Sequence, residues 1–166
     1  MDTEDTIAAL STPFGEGALA VIRLSGQQAI AVADRVWRGK LRVADLPARY
    51  AAFGSIVESG RSLDDVVLTV FRAPASYTGE DVVEISGHGG VLVSRRLLEA
   101  LLRAGARSAE GGEFTQRAYL NGKLDLTQAE AVMDLITAQS DLALRAAGEQ
   151  LSGKLGEHIQ IGRAHV

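Results

Sequence analysis

The sequence predicts an α+β fold, in which a mixed domain of strands and helices is followed by the first helices of an all-α domain. Two observations support this prediction. As far as Gly112, short segments rich in valine, isoleucine and leucine alternate with amphipathic stretches, as in a domain whose helices pack on a sheet. From Glu113 to His158 no strand signal remains, and alanine, leucine, glutamate and glutamine dominate. We therefore expect domains over residues 1–112 and 113–160.

Five segments of the first domain have the composition of strands, because β-branched and other apolar residues dominate them. The polar, glycine-containing turn Ser59–Ser62 joins the third to the fourth and predicts a hairpin. A second turn, Pro13–Gly17, separates the first two segments. The predicted strands are Thr6–Ala9, Ala18–Leu24, Tyr50–Glu58, Val66–Arg72 and Val82–Ser86.

Apolar residues at helical spacing predict two helices in the first domain, over Gln27–Trp37 and over Val91–Arg103, the latter ending at Gly105. In the second domain, Thr127 is a predicted N-cap, and Glu130 three residues later completes a capping box. A buried stripe is expected to follow on this helix, formed by Ala131, Leu135, Ala138, Leu142 and Leu144.

Composition excludes several classes of protein. Hydrophobic residues make up 46% and charged residues 23% of the 166 residues, which is typical of a folded globular chain. The formal net charge of −4 provides no global positive field for RNA, so we expect an RNA-binding surface elsewhere or in a partner. Cysteine is absent and the three histidines make no metal-spaced pair, so no metal site is expected. The amino terminus has no signal peptide or membrane helix, which predicts a cytoplasmic protein.

Three charged residues lie in glycine-containing segments that are not explained by simple burial. Arg23 is set inside an apolar strand, Glu80 follows Gly79, and Lys123 follows the turn Asn121-Gly122. Each residue also has a structural interpretation. Arg23 would be a charge on the solvated face of a sheet, Glu80 would be a cap, and Lys123 would be a solvent-facing lysine in a turn. His88, within Gly87–Gly90, is better explained as a structural residue bonded to backbone than as a base.

Taken together and in order, these segments resemble the family of tRNA uridine-34 modification GTPases called MnmE or TrmE. The resemblance extends from Asp5 to about Ile159. Its two longest motifs are specific by themselves. The matching segments are Asp5–Ala9, Val21–Gly26, Tyr77–Asp81, Gly87–Gly90, Gly112–Ala118 and Asn121–Ala131.

The resemblance implies a tetrahydrofolate-binding domain similar to those of aminomethyltransferases, a helical domain, and a GTPase inserted in that helical domain. It also implies a homodimer formed through the amino-terminal domain and a flavin-dependent partner, MnmG or GidA. The pair would install an aminomethyl or carboxymethylaminomethyl group on the wobble uridine of tRNA. By position in the motifs, the contacts to 5-formyltetrahydrofolate or a related reduced folate fall on Arg23, Glu80 and Lys123.

The sequence departs from the family in one respect. It contains no Gly-x-x-x-x-Gly-Lys-Ser/Thr phosphate-binding loop, so the GTP, Mg²⁺ and K⁺ sites of the full-length family are not expected here, nor is activity of this part alone. The final residues, 161–166, are what a common short-read sequencing adapter encodes. We expect them to be an artefact and the native sequence to end at Ile159 or Gln160.

Two other functions are compatible with parts of the sequence. A stand-alone folate-dependent aminomethyltransferase would share the first domain, but it would need a β-rich domain where helices are predicted after Glu113. A non-catalytic dimerisation module with an empty pocket is the other alternative. Binding of a reduced folate would distinguish the leading hypothesis from that module.

Overall fold

The computed structural model describes residues 5–153. The chain divides into two compact units, Met1–Gly111 and Gly112–Val166. The expected artefact at 161–166 and the carboxyl end of the predicted helical region lie outside the described residues.

The first unit is built on a seven-stranded mixed sheet, which confirms the predicted α+β class. Neighbouring strands are antiparallel except for the parallel pair β1 and β7, and their order is β3-β4-β5-β6-β2-β1-β7. The strands are β1 Ile7–Leu10, β2 Leu19–Ser25, β3 Trp37–Gly39, β4 Ala51–Glu58, β5 Arg61–Phe71, β6 Val82–His88 and β7 Arg107–Ser108.

Two helices, α1 Ala29–Val36 and α2 Val91–Arg103, pack on one face of this sheet. Alternate residues of the central strands, such as Ile22 and Ile85, point to that face and are fully buried. Their neighbours Arg23 and Glu84 are paired across β2 and β6 and therefore lie on the opposite face. The candidate site is on that opposite face.

The second unit is helical in its described part, as the composition predicts. It contains α3 Glu113–Leu120, α4 Leu126–Thr137 and α5 Asp141–Leu151. Side-chain amides join the last two helices, since Gln128 Nε2 donates to the carbonyl of Leu151 and Gln150 Nε2 donates to that of Thr127.

Several predicted boundaries in the first unit are wrong by a few residues. Trp37 does not end α1; it begins the edge strand β3, where its ring packs against Gly39 and Gly54. Strand β5 begins at Arg61, so the hairpin turn is reduced to Ser59 and Gly60. In both places pairing with β4 overrides the local signal, which was the helical spacing of Trp37 in one case and the polar composition after Gly60 in the other.

The prediction of a single capped helix in the second unit is also wrong. The N-cap of α4 is Asp125, whose carboxylate accepts from Gln128 N, and the side chain of Gln128 accepts from Asp125 N. The capping box is therefore formed by Asp125 and Gln128 and not by Thr127 and Glu130. Extended backbone at Ala138 ends α4, and Ser140 caps α5. The predicted buried stripe is interrupted as a result: Ala131 is buried, Leu135 and Ala138 are half-buried, and Leu142 and Leu144 are exposed.

Candidate functional site

The loop between β5 and β6 lies beside the end of β2. Its first residues are fixed by Asp81, whose Oδ1 accepts from Ala73 N at 2.9 Å. The carbonyl of Asp81 accepts from Gly26 N at 3.1 Å, which ties the loop to the residue that follows β2. The segment Ser76–Glu80 is thereby brought next to Ser25, the last residue of β2.

Glu80 is held by a ring of hydrogen bonds through two fully buried hydroxyls. Ser25 Oγ donates to Glu80 Oε2 at 2.6 Å, because an ionised carboxylate can only accept. A hydroxyl has one hydrogen, so Ser25 must accept from Thr78 Oγ1, which lies 2.6 Å away. Thr78 Oγ1 in turn accepts from Glu80 N at 3.3 Å. This ring fixes both the backbone and the carboxylate of Glu80.

Arg23 is held by a cross-strand partner and an aromatic ring. Its Nε and Nη2 donate to Glu84 Oε1 at 2.9 and 2.7 Å, and both side chains are about one-quarter exposed. The guanidinium carbon lies 5.1 Å from the centre of the Tyr77 ring, which is within the range of a cation–π contact. Arg23 is therefore a positioned cation and not a charge on a simply solvated face.

Arg23 and Glu80 are neighbours in the first unit. Ser25, the partner of Glu80, follows Arg23 by two positions on β2, a separation of roughly 7 Å along a strand. Tyr77, beneath the guanidinium, belongs to the same loop as Glu80. The structure thus brings two of the three predicted site residues together.

The third predicted residue, Lys123, lies in the second unit. It follows α3 in a turn closed by the bond from Lys123 N to the carbonyl of Ala118, at 2.8 Å. Gly122 before it has a φ of +69°, a conformation that favours glycine. Lys123 is exposed and contributes to a hollow of about 610 Å³ whose other lining residues include Tyr119, Asp125 and Gln128.

The imidazole of His88 is paired with a carboxylate and not, as was predicted, with backbone. Its Nδ1 lies 2.6 Å from Asp64 Oδ1, and its backbone N donates to Asp64 Oδ2 at 2.8 Å. The carboxylate of Asp64 is 7% exposed, whereas the imidazole is 71% exposed. A Cβ on Gly87 would lie 2.6 Å from Asp64 Oδ2, so glycine is required there to make room for the carboxylate.

The neighbouring glycine has a structural role as well. Gly89 N donates to the carbonyl of Ala18, and Gly17 N donates to the carbonyl of Gly89. A Cβ on Gly89 would lie 2.5 Å from the carbonyl oxygen of Gly17. Close backbone packing at the end of β6 therefore accounts for this glycine.

Sequence reasoning missed the partners that position the charged residues. Glu84 carried a signal, since it is an acid set between Val83 and Ile85 on a strand. Ser25 and Thr78 carried none, because a hydroxyl near a strand end is common in every fold.

The fold and this site define an α+β domain that presents a fixed carboxylate and a fixed guanidinium on one face of its sheet. The family model described as GTP-binding protein TrmE N-terminus matches residues 6–123. The chain belongs to this family. No helix within the described residues is long and apolar enough to cross a membrane.

Proteins named tRNA modification GTPase MnmE are similar over nearly the whole chain. The one from Streptococcus thermophilus is 51% identical over 162 residues, 98% of this chain and 35% of its own length. The Enterococcus faecalis protein is 52% identical over 165 residues, again 98% of this chain and 36% of its own length. The Geobacillus kaustophilus protein is 52% identical over 161 residues, 94% of this chain and 35% of its own length. The chain spans about a third of the length of these relatives.

Proposed function

We propose that this chain is the folate-binding part of a tRNA-modifying GTPase, and that Arg23, Glu80 and Lys123 contact a reduced folate such as 5-formyltetrahydrofolate. The observation that carries the proposal is the ring of hydrogen bonds that fixes Glu80 through Ser25 and Thr78. Preorganised polar groups of this kind give a binding site its orientation and specificity.

The chemistry of these side chains suits a folate. The pterin edge is rich in N–H donors, and the Glu80 carboxylate can accept two parallel bonds from an amino group and a ring N–H. The glutamate tail of folate carries carboxylates, for which Arg23 and Lys123 are suitable partners. The Tyr77 ring is about one-third exposed beside Arg23, and a flat heterocycle could stack on such a ring.

The activity proposed for the whole protein follows from the names of its relatives, which are tRNA modification GTPases. We propose that it modifies carbon 5 of the wobble uridine in the cytoplasm, as a homodimer formed through residues 1–112 and together with a flavoprotein partner of the MnmG or GidA type. Hydrolysis of GTP, with Mg²⁺ and K⁺, would belong to a domain outside this chain. Residues 113–160 would begin the helical domain.

Calorimetric titration of the 166-residue chain with 5-formyltetrahydrofolate tests the proposed site. Glu80→Gln keeps the shape of the side chain and removes its charge, so it should lower the affinity by about 10-fold to 100-fold, the value of a charge-assisted hydrogen bond. Arg23→Ala and Lys123→Ala should each weaken binding as well. The matched control is Arg61→Ala, at the first residue of β5, which should leave the affinity unchanged.

Absence of folate binding by a folded chain would contradict the proposed site and favour a dimerisation module with an empty pocket. Equal affinities for Glu80→Gln and Arg61→Ala would show that folate binds elsewhere. The stand-alone aminomethyltransferase is less favoured, because residues 113–151 form three helices and no strand of a β-rich domain.

A further inference from the structure

A positive surface lies at the β3 edge of the sheet, in a chain that is acidic overall. Residues 34–53 contain five basic residues and two acidic residues, a net charge of +3, whereas the formal net charge of the chain is −4. A whole-chain average therefore hides a local field that can attract a polyanion.

Three cations of this segment line one hollow, and one of them, Lys40, also lines a hollow with two exposed aromatic residues. A hollow of about 320 Å³ is lined by Arg38, Lys40 and Arg42, among others. Lys40 also lines a second hollow of about 330 Å³, together with Tyr50 and Phe53. These two residues are 53% and 72% exposed. We call Arg38, Lys40, Arg42, Tyr50 and Phe53 the cationic edge.

Two acidic side chains near the cationic edge, Asp34 and Asp65, are already engaged, and a third, Asp45, adds negative charge near Arg42. Asp34 accepts from Arg42 Nε and Nη2 and from Val43 N, and this contact raises the pKa of Arg42. Asp65 accepts from Ser55 Oγ at 2.6 Å. Within residues 5–153, neither Arg38 nor Lys40 forms an ion pair with a carboxylate.

We infer that the cationic edge binds RNA with unpaired bases, its cations contacting phosphates and its two rings stacking on bases. Cations beside exposed aromatics are the combination by which proteins bind single-stranded nucleic acid. A second copy of this chain is a poorer occupant, because a two-fold contact would place the same positive surface against itself. The inference rests on the proposed tRNA substrate but not on the proposed folate site.

The test is titration of a fluorescently labelled RNA stem-loop, and of a blunt duplex of equal length, with the 166-residue chain. Arg38→Glu/Lys40→Glu should weaken stem-loop binding at least 10-fold. Its salt dependence should become shallower by about 0.7 to 0.9 in log–log slope for each phosphate that the variant no longer neutralises. Phe53→Leu keeps an apolar side chain but removes the ring, so it should weaken stem-loop binding about fivefold or more and leave duplex binding unchanged.

The charge-matched control is Arg61→Glu/Arg95→Glu, which reverses two exposed cations of the first unit that lie outside residues 34–53 and should retain stem-loop binding. Equal weakening by this control, or no stem-loop binding by the parent chain in about 50 mM salt, would overturn the inference. A change in mass by light scattering for Arg38→Glu/Lys40→Glu would show an interface between copies instead. Glu80→Gln should bind RNA normally, so failure of the folate site and failure of the cationic edge give different results.

Discussion

Removal of the Ser25 hydroxyl should destabilise the protein and break the hydrogen bonds that fix Glu80. Ser25 is fully buried and bonds both Thr78 Oγ1 and Glu80 Oε2 at 2.6 Å. A hydrogen bond to a charged group contributes about 1.5–3 kcal/mol, and the partial exposure of Glu80 lets water replace some of it. We therefore expect Ser25→Ala to lower the free energy of unfolding by about 1–3 kcal/mol.

Urea unfolding followed by circular dichroism measures this change. In a separate thermal scan, the melting temperature should fall by about 2–4 °C per kcal/mol for a chain of this size. Ser86→Ala is the matched control. Ser86 is a half-buried serine on β6, and no side-chain hydrogen bond involves it within residues 5–153. Its removal should change the stability by less than about 0.5 kcal/mol.

The double variant Ser25→Ala/Thr78→Val separates the hydrogen-bonded ring from simple packing. The Ser25–Thr78 bond is lost in each single variant but only once in the double variant, so the double variant should be destabilised by less than the sum of the two single variants. The hydrogen-bonded ring would be refuted if the losses of unfolding free energy in the two single variants added up to that of the double variant. It would also be refuted if Ser25→Ala and Ser86→Ala changed the stability equally.

Two further substitutions test other parts of the structure. Gly87→Ala should lower the free energy of unfolding by about 1–3 kcal/mol, because the new methyl group displaces the carboxylate of Asp64. The control is Gly111→Ala, whose new methyl group has no neighbouring atom within 4 Å and should change the free energy of unfolding little. If urea titration gave the two variants equal stabilities, the close approach at Gly87 would be wrong. Asp125→Ala removes the N-cap of α4 and should reduce stability by about 0.5–2 kcal/mol, whereas Asp125→Asn should retain most of it. Equal stabilities for these two variants in the same assay would argue against the side-chain bond to Gln128 N.

The sequence by itself was sufficient for the class of fold, five of the seven strands of the sheet, helix α2 and the family. These features depend on patterns that are local in the chain. The alternation of apolar residues defines a strand wherever it lies, and Val91–Arg103 has both a helical period and a glycine after its end. Arg23, Glu80 and Lys123 were likewise predicted from short motifs, and their contact with a folate stays a prediction.

Only the tertiary structure decided which groups these residues contact. Arg23 meets Glu84 because the antiparallel register of β2 and β6 places them opposite each other, although 61 positions separate them. The pair Asp64 and His88 likewise joins two neighbouring strands, and Ser25 reaches Thr78 only because the loop after β5 is tied to the end of β2. Strand register is a property of the assembled sheet, because a shift of one residue moves every side chain of a strand to the opposite face. A local sequence pattern therefore does not predict which residues of two strands will be in contact.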